Sequence, residues 1–185
     1  QIGELSFSIS PNSFFQVNSQ QTVKLYDTIK AFANLTGSET VFDLYCGTGT
    51  IGLYLAAQAK QVIGIESVGD AILDARENAG LNQIENASFH LVLAEDTILK
   101  IIKEEGLKPD LIVLDPPRKG CEETLLAAIV EQQTPRIIYV SCNPSTLARD
   151  LKYLTEAGYA IKAVQPVDLF PGTGHVETVV LMSRV

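Results

Sequence analysis

Short apolar stretches alternate along the chain with amphipathic stretches from about residue 40 onward. Apolar stretches of strand length predict β-strands at residues 40–45, 61–66, 87–93, 110–115, 136–141, 159–167 and 177–183. Helical patterns lie at residues 18–35, 50–59, 69–80, 95–105, 121–132 and 145–156. The strand stretches are continuously apolar, which is typical of strands buried on both faces. We therefore predict an α/β fold in which helices cover both faces of a mostly parallel sheet.

The two ends of the chain depart from this alternation. No helical pattern separates the last two predicted strands, which are joined through "DLFPGTGH", so we predict a C-terminal antiparallel hairpin at one edge of the sheet. Residues 1–38 are predicted to form an N-terminal extension with a strand and a helix, ahead of a core at residues 39–185. A length of 185 residues fits a single domain.

Composition narrows the class of protein. Hydrophobic residues make up 46% of the chain, and no apolar stretch reaches the roughly 20 residues of a membrane helix, so we expect no membrane association. The net charge of −8 disfavours broad attraction to nucleic acid but allows a local basic rim. Three cysteines without framework or metal-ligand spacing predict a reducing, cytoplasmic environment and no metal site.

The first predicted strand runs into a glycine-rich turn, "DLYCGTGTIG". Gly47, Gly49 and Gly52 satisfy G-x-G-x-x-G between a strand and a helix, and Glu66 closes the second strand. Such a turn lets a nucleotide-type ligand approach the backbone, and the acid can bind ribose hydroxyls. The pattern predicts cofactor binding without separating a dinucleotide from S-adenosylmethionine. The alternative is a tight turn with no ligand.

Three further strand ends carry candidate chemistry, because ligands of such sheets bind at the carboxyl ends of the strands. Asp115 precedes two prolines in "LDPPRKG", where the alternative is an ordinary turn. Cys142 in "YVSCNP" precedes a helix that Asn143 can cap, so we predict a lowered thiol pKa and a nucleophile. The alternative for Cys142 is a small core residue. Glu177 follows a glycine-rich loop and is either a cleft residue or a solvated edge acid.

With "SFFQVN", "DLYCGTGTIG", "LDPPRKG", "YVSCNP" and "GHVETV" in this order, the chain resembles the RNA uracil-5-methyltransferase family, the 23S rRNA and tRNA 5-methyluridine enzymes. The resemblance covers essentially all 185 residues and implies a class I S-adenosylmethionine-dependent methyltransferase fold, which is Rossmann-like. It implies that residues 1–185 are the catalytic domain. The family's N-terminal RNA-binding part has no counterpart here, so we expect a longer parent protein.

The resemblance also implies a role for each matching residue. Cys142 matches the family's nucleophile and Glu177 its general base. The implied contacts of S-adenosylmethionine are Gln16, Tyr45, Gly47, Gly49, Thr50, Glu66 and Asp115. Two positions depart from the family pattern: Thr50 stands where some members carry Asn, and Leu93 stands where a polar adenine contact is often found.

The implied reaction is methylation of carbon 5 of a uridine in RNA, with 23S rRNA as the expected target and a monomeric enzyme. Thiolate addition at carbon 6 would activate carbon 5, and the uridine would have to be flipped or single-stranded. Candidate phosphate contacts are Arg118, Lys119, Arg149 and Lys152, of which the last two also fit solvated helix faces.

Three alternatives remain at this point. A cytosine-5 methyltransferase of RNA or DNA uses the same thiol addition, but the RNA enzymes typically carry a second cysteine within the fourth motif. Here that motif reads "DPPR", with Cys121 beyond it. A nicotinamide-dependent oxidoreductase leaves "SCNP" unexplained. A non-catalytic nucleotide-binding module is disfavoured because both Cys142 and Glu177 are present.

Overall fold

The computed structural model describes residues 1–10, 16, 18–92 and 106–185. Its strands are β1 (Thr40–Leu44), β2 (Gln61–Glu66), β3 (Ala87–Leu91), β4 (Leu111–Leu114), β5 (Arg136–Ser141), β6 (Tyr159–Val167) and β7 (Glu177–Arg184). Its helices are α1 (Ser19–Ala33), α2 (Thr50–Ala56), α3 (Gly69–Leu81), α4 (Glu123–Gln132) and α5 (Pro144–Glu156). The predicted helix at 95–105 lies outside the described residues, as does Leu93, which stands where the family often has a polar adenine contact.

The strands form one seven-stranded sheet in the order β3-β2-β1-β4-β5-β7-β6. The pairs from β3 to β5 are all parallel, whereas β7 is antiparallel to both of its neighbours. The predicted mostly parallel sheet and the antiparallel C-terminal hairpin are therefore confirmed. The hairpin has one feature that the sequence did not predict: β7 lies inside the sheet, and β6 forms its edge.

Helices cover both faces of the sheet, and successive residues of a strand point to opposite faces. On one face, Phe42 and Ile112 join a core cluster that includes residues of α4 and α5. On the other face, Val41 and Val113 join a cluster that includes residues of α1 and α2. All five residues of β1 are buried, which explains why its sequence shows no strict alternation of apolar and polar residues.

Residues 6–10 of the N-terminal extension pack against α3, and residues 1–10 contain no strand. Its regular pairing is limited to an isolated bridge between Ile2 and Leu5. Alternate backbone amides donate to side chains spaced one helical turn apart on α3: Ser6 N to Asn82 Oδ1 (2.9 Å), Ser8 N to Asn78 Oδ1 (2.7 Å) and Ser10 N to Asp74 Oδ2 (2.9 Å). The two-residue periodicity that predicted a strand therefore reflects an extended segment whose partners are helix side chains.

Candidate active site

A cleft of about 790 Å³ opens at the carboxyl ends of the parallel strands, where ligands of open α/β sheets bind. Eight of the nine predicted site residues line it: Gln16, Tyr45, Gly47, Thr50, Glu66, Asp115, Cys142 and Glu177. Gly49 is not among the lining residues. The cleft therefore brings together residues that are as much as 161 positions apart in the sequence, from Gln16 to Glu177.

The glycine turn and Glu66 form one wall of the cleft. Gly47 has a φ of +53°, and a Cβ atom there would meet nothing within 4 Å, so the backbone is open towards the cleft. One Glu66 carboxylate oxygen accepts from Gly47 N at 3.1 Å. The other accepts from the backbone amides of Ser67 (2.6 Å) and Val68 (3.0 Å). These bonds fix the carboxylate at the end of β2, where it faces the cleft.

Gly49 serves the packing beneath the turn. Its φ is +79°, and a Cβ atom there would lie 2.8 Å from the Phe89 ring and 3.1 Å from the Ala75 methyl carbon. Only a residue without a side chain lets β3 and α3 approach the turn this closely. The three motif glycines therefore differ in what they contact, although the sequence pattern treats them alike.

Asp43 is a buried acid beneath the same turn. Its Oδ2 accepts from Gly52 N at 2.8 Å, while its Oδ1 has no hydrogen-bond partner among the described residues. Burial raises the pKa of Asp43 to about 7, and the nearby Glu66 charge adds to this effect. The hydrogen bond from Gly52 N acts in the opposite direction and lowers the pKa. Asp43 is fully buried in the middle of β1, and it supports the turn from below.

Cys142 and Glu177 become neighbours through the pairing of β5 with β7. Ser141 pairs with Thr178 in the antiparallel register. The residue after Ser141 and the residue before Thr178 are therefore neighbours, so Cys142 lies beside Glu177. Glu177 is 6% exposed, and Cys142 is partly buried. Burial raises the pKa of the Glu177 carboxyl, although the positive charge of Arg118 opposes this shift. An acid with a raised pKa beside a thiol is suited to proton transfer.

The predicted lowering of the Cys142 thiol pKa is wrong. Burial raises this pKa, and the negative charges of Glu177 and Asp115 add to the effect. The backbone amide of Cys142 and the Arg118 guanidinium act in the opposite direction. The helix that favours a thiolate is present, since Asn143 caps α5 by accepting from Ser145 N, but burial and the two carboxyl charges raise the thiol pKa nonetheless.

Asp115 lies between Glu177 and the buried Asp43. The residue is partly buried, and it lines the cleft. Burial, followed by the Glu177 and Asp43 charges, raises the pKa of Asp115 to about 8. The carboxyl therefore holds a proton at neutral pH, so it can donate a hydrogen bond as well as accept one.

Several cleft residues were missed as site residues from the sequence. Arg118 was predicted only as a phosphate contact, but its charge acts on both Cys142 and Glu177. Its position in "DPPR", three residues after Asp115, is a signal that could have found it. Tyr26 lies on α1, and its hydroxyl group forms a hydrogen bond with Thr50 Oγ1 at 2.6 Å. No pattern distinguishes Tyr26 from the apolar residues on the same helix face.

The remaining predicted basic contacts divide between the cleft and the surface. Lys119 lines the cleft and pairs with Glu122 at 2.6 Å. Lys152 lies on an exposed face of α5 and is 3.8 Å from Glu156. Arg149 binds its neighbour Asp150 and the preceding loop rather than the cleft.

Within residues 1–10, 16, 18–92 and 106–185, no group of three or more His, Cys, Asp or Glu side chains is placed to hold a metal ion. In the same part of the chain, no helix has the length and apolar character needed to cross a membrane.

Curated relatives match the chain over nearly all of its length. An uncharacterized RNA methyltransferase of Clostridium acetobutylicum is 55% identical over 184 residues, and one of Bacillus cereus is 56% identical over 184 residues. Each alignment covers 100% of this chain and 40% of the relative. The chain therefore spans about two-fifths of the length of these relatives.

Solved structures identify the fold. The Pyrococcus abyssi tRNA (uracil-54, C5)-methyltransferase, in complex with S-adenosyl-L-homocysteine, has a TM-score of 0.85 and 36% identity, covering 98% of this chain and 43% of that chain. A precorrin-6y C5,15-methyltransferase of Geobacter metallireducens has a TM-score of 0.76 at 12% identity, covering 97% of this chain and 95% of that chain, and shares the fold alone. The predicted class I S-adenosylmethionine-dependent methyltransferase fold is confirmed.

The family follows from a match that includes the whole cleft. The family model described as tRNA (Uracil-5-)-methyltransferase matches residues 3–185. That range contains the glycine turn, the Asp115 loop and the Cys142–Glu177 pair. The chain belongs to the tRNA (uracil-5-)-methyltransferase family.

Proposed function

We propose that the chain methylates carbon 5 of a uridine in RNA, with S-adenosylmethionine as the methyl donor. The observation that carries the proposal is the β5–β7 register, which brings Cys142 and Glu177 together in the same cleft as the glycine turn. Membership of the uracil-5-methyltransferase family supports the reaction. Residues 1–185 act as the catalytic domain in this proposal.

The residues of the cleft fit S-adenosylmethionine. The open backbone at Gly47 allows close approach, and the Glu66 carboxylate can accept from the ribose hydroxyls. Tyr45, Thr50 and Gln16 line the same space. When bound, the cofactor supplies an electrophilic methyl group. Gly49 contributes indirectly, because its missing side chain lets the turn pack against Phe89.

Cys142 and Glu177 divide the covalent chemistry between them. In its thiolate form, reached by loss of the thiol proton to solvent, the Cys142 sulfur adds to carbon 6 of uracil, and the electron pair of the 5,6 double bond becomes an enolate. Carbon 5 of the enolate can then take the methyl group. Glu177 next removes the proton from carbon 5, the double bond re-forms, and the bond between sulfur and carbon 6 breaks. The raised pKa of Glu177 favours this proton abstraction.

Arg118 and Asp115 assist at the same ring. The positive charge of Arg118 lowers the pKa of the Cys142 thiol, so it offsets part of the effect of burial. A protonated Asp115 can donate a hydrogen bond to a uracil carbonyl oxygen, where charge develops in the enolate. We therefore propose Asp115 as a substrate contact as well as a cofactor neighbour.

The RNA substrate is proposed from similarity to known enzymes. We propose 23S rRNA, on the basis of the motifs shared with enzymes of that class. tRNA is the second candidate, because the Pyrococcus abyssi neighbour is a tRNA enzyme. The uridine must leave its stack to reach Cys142. The enzyme is proposed to act as a monomer in the cytoplasm, where its three free cysteines remain reduced.

An RNA that contains 5-fluorouridine tests the mechanism. Fluorine at carbon 5 cannot leave as a proton, so Cys142 should remain bound to the RNA as a denaturation-resistant adduct that forms only with S-adenosylmethionine. Cys142→Ala should abolish the adduct, whereas Cys121→Ala, a buried cysteine outside the cleft lining, should retain it. Parallel reactions with 23S rRNA and tRNA transcripts, with the Pyrococcus abyssi enzyme as a positive control, identify the substrate. An adduct that survives in Cys142→Ala would refute the proposed nucleophile.

A further inference from the structure

Helix α5 begins two residues after Cys142, and its side chains hold the loop that carries Arg118. Two of them bind the Arg118 carbonyl oxygen: Asn143 Nδ2 at 3.0 Å and Thr146 Oγ1 at 3.1 Å. Arg149 Nη2 donates to the carbonyl oxygens of Lys119 (3.0 Å) and Cys121 (3.1 Å). The nucleophile and the Arg118 loop are thus joined through one helix.

Asp150 anchors this arrangement from inside the protein. The residue is 1% exposed, and its Oδ2 accepts from Cys121 N (2.8 Å) and from the Tyr139 hydroxyl (2.6 Å). Its Oδ1 accepts from Arg149 Nε at 2.7 Å, which orients the guanidinium towards the loop. A buried carboxylate with several donors is strongly constrained, because each lost bond leaves a charge unsatisfied.

The approach of loop and helix is close enough to require glycine. Gly120 has a φ of +78°, and a Cβ atom there would lie 2.6 Å from both Arg149 Nη2 and Asp150 Oδ2. Gly120 N also donates to Pro117 O at 2.9 Å, which closes the turn after the two prolines. The path of the loop is therefore set by its contacts with Arg149 and Asp150, as well as by the stiffness of the prolines.

We propose that Arg149 and Asp150 are positioning residues that hold the Arg118 loop against α5, so that the Arg118 guanidinium stays beside Cys142 and Glu177. Their contribution to catalysis rests on the function proposed above. Neither residue lines the cleft, and both act through the loop backbone. The earlier prediction of Arg149 as a phosphate contact is replaced here by this positioning role.

Cys142 alkylation measures the effect of the loop on the thiol without RNA or cofactor. The rate of reaction with iodoacetamide as a function of pH reports the thiolate fraction, and mass spectrometry assigns it to Cys142, since Cys46 and Cys121 are 6% and 5% exposed. The charged groups acting on Cys142 are Glu177 from β7 and Asp115 and Arg118 from the loop after β4. Other titratable residues that line the cleft are Tyr26, Tyr45, Cys46, Glu66, Lys119 and His175.

We expect Arg149→Met to lower the alkylation rate at neutral pH by about threefold, the effect of displacing one partly screened charge. Arg118→Met should lower the rate by a similar factor. In the Arg118→Met background, Arg149→Met should have little further effect, because both changes remove the same interaction. Lys152→Met, on an exposed face of the same helix, is the matched control and should leave the rate unchanged.

Arg149→Lys is the second variant, for use if Arg149→Met does not fold. It keeps a cation near Asp150 but has one nitrogen, so it cannot bind Asp150 through one nitrogen and the loop carbonyls through another, as Nε and Nη2 do, and the rate should again fall. In methylation assays, either variant should lower kcat and leave the KM for S-adenosylmethionine unchanged. A wild-type alkylation profile in folded Arg149→Lys, or full additivity with Arg118→Met, would overturn the positioning role. If the single and double variants show the expected alkylation rates but no RNA is methylated, the proposed function fails and the positioning role stands.

Discussion

Replacing Asp115 with Asn should make the folded protein more stable at pH 8 while removing methyl transfer. The pKa of Asp115 is about 8 in the folded protein, against an ordinary value of 3.8. Between these values the folded chain holds a proton that the unfolded chain has lost. Unfolding therefore releases a proton, and the free energy of unfolding falls as pH rises through this window. Asn cannot ionise, so the free energy of unfolding of the variant does not fall for this reason.

The size of the effect follows from linkage. A group protonated in the folded state and ionised in the unfolded state costs about 1.4 kcal/mol of stability per pH unit. From about pH 6 to about pH 8, a pKa of 8 gives roughly 2 kcal/mol, because the folded group is half ionised at the upper limit. Solvent screening reduces this value, because Asp115 lines the cleft. We expect a net change of about 1–2 kcal/mol.

Thermal unfolding monitored by circular dichroism at pH 6, 7 and 8 provides the assay. The difference in Tm between Asp115→Asn and the wild type should grow by roughly 2–8 °C over this range, at about 2–4 °C per kcal/mol for a chain of this size. Asp168→Asn, at an exposed position next to the last loop, is the control and should show a constant difference. A pH-independent difference for Asp115→Asn would mean that Asp115 is ionised in the folded protein, and the proposed hydrogen bond to uracil would lose its basis.

Two further predictions concern the base and the turn. Glu177→Gln should form the Cys142 adduct with ordinary uridine RNA and S-adenosylmethionine but fail to release it, so a denaturation-resistant band should accumulate on a gel; rapid turnover without a band would exclude Glu177 as the base. Gly49→Ala should lower the free energy of unfolding by about 1–3 kcal/mol in denaturant titrations, because its Cβ atom would lie 2.8 Å from Phe89 at a positive φ. Gly80→Ala, which would meet nothing within 4 Å, should be neutral or stabilising, and equal losses in both variants would contradict the packing argument.

The sequence predicted the alternation of strands and helices well, because continuous apolar strands between amphipathic helices have few other solutions. It could not predict that β7 lies between β5 and β6. Hydrophobic pattern reports that a strand is buried but does not identify its neighbours. In the sequence, only the resemblance to a known family indicated that Cys142 and Glu177 act together. The β5–β7 register of the structure shows that they are neighbours.

The candidate site shows the same division between local and long-range effects. The cap of α5 at Asn143 was predicted from neighbouring residues and is present. The direction of the Cys142 pKa shift was predicted from that local feature alone and was wrong, because burial and the charges of Glu177 and Asp115 depend on parts of the chain distant in sequence. Likewise, the glycine pattern could not separate Gly47 from Gly49, since the difference depends on what packs beneath the turn.

The interior position of β7 also constrains the order in which the protein folds. Until β7 is inserted, β6 lacks its ladder partner in the described sheet, and the backbone of β5 is open on one side. Closing a loop that brings β7 back between two earlier strands carries an entropic cost before any contact is gained, which favours late insertion. Glu177 is the first residue of β7, so it arrives with this strand. A partly folded chain would already carry its thiol but lack its proposed base, and the strand that completes the sheet would also complete the active site.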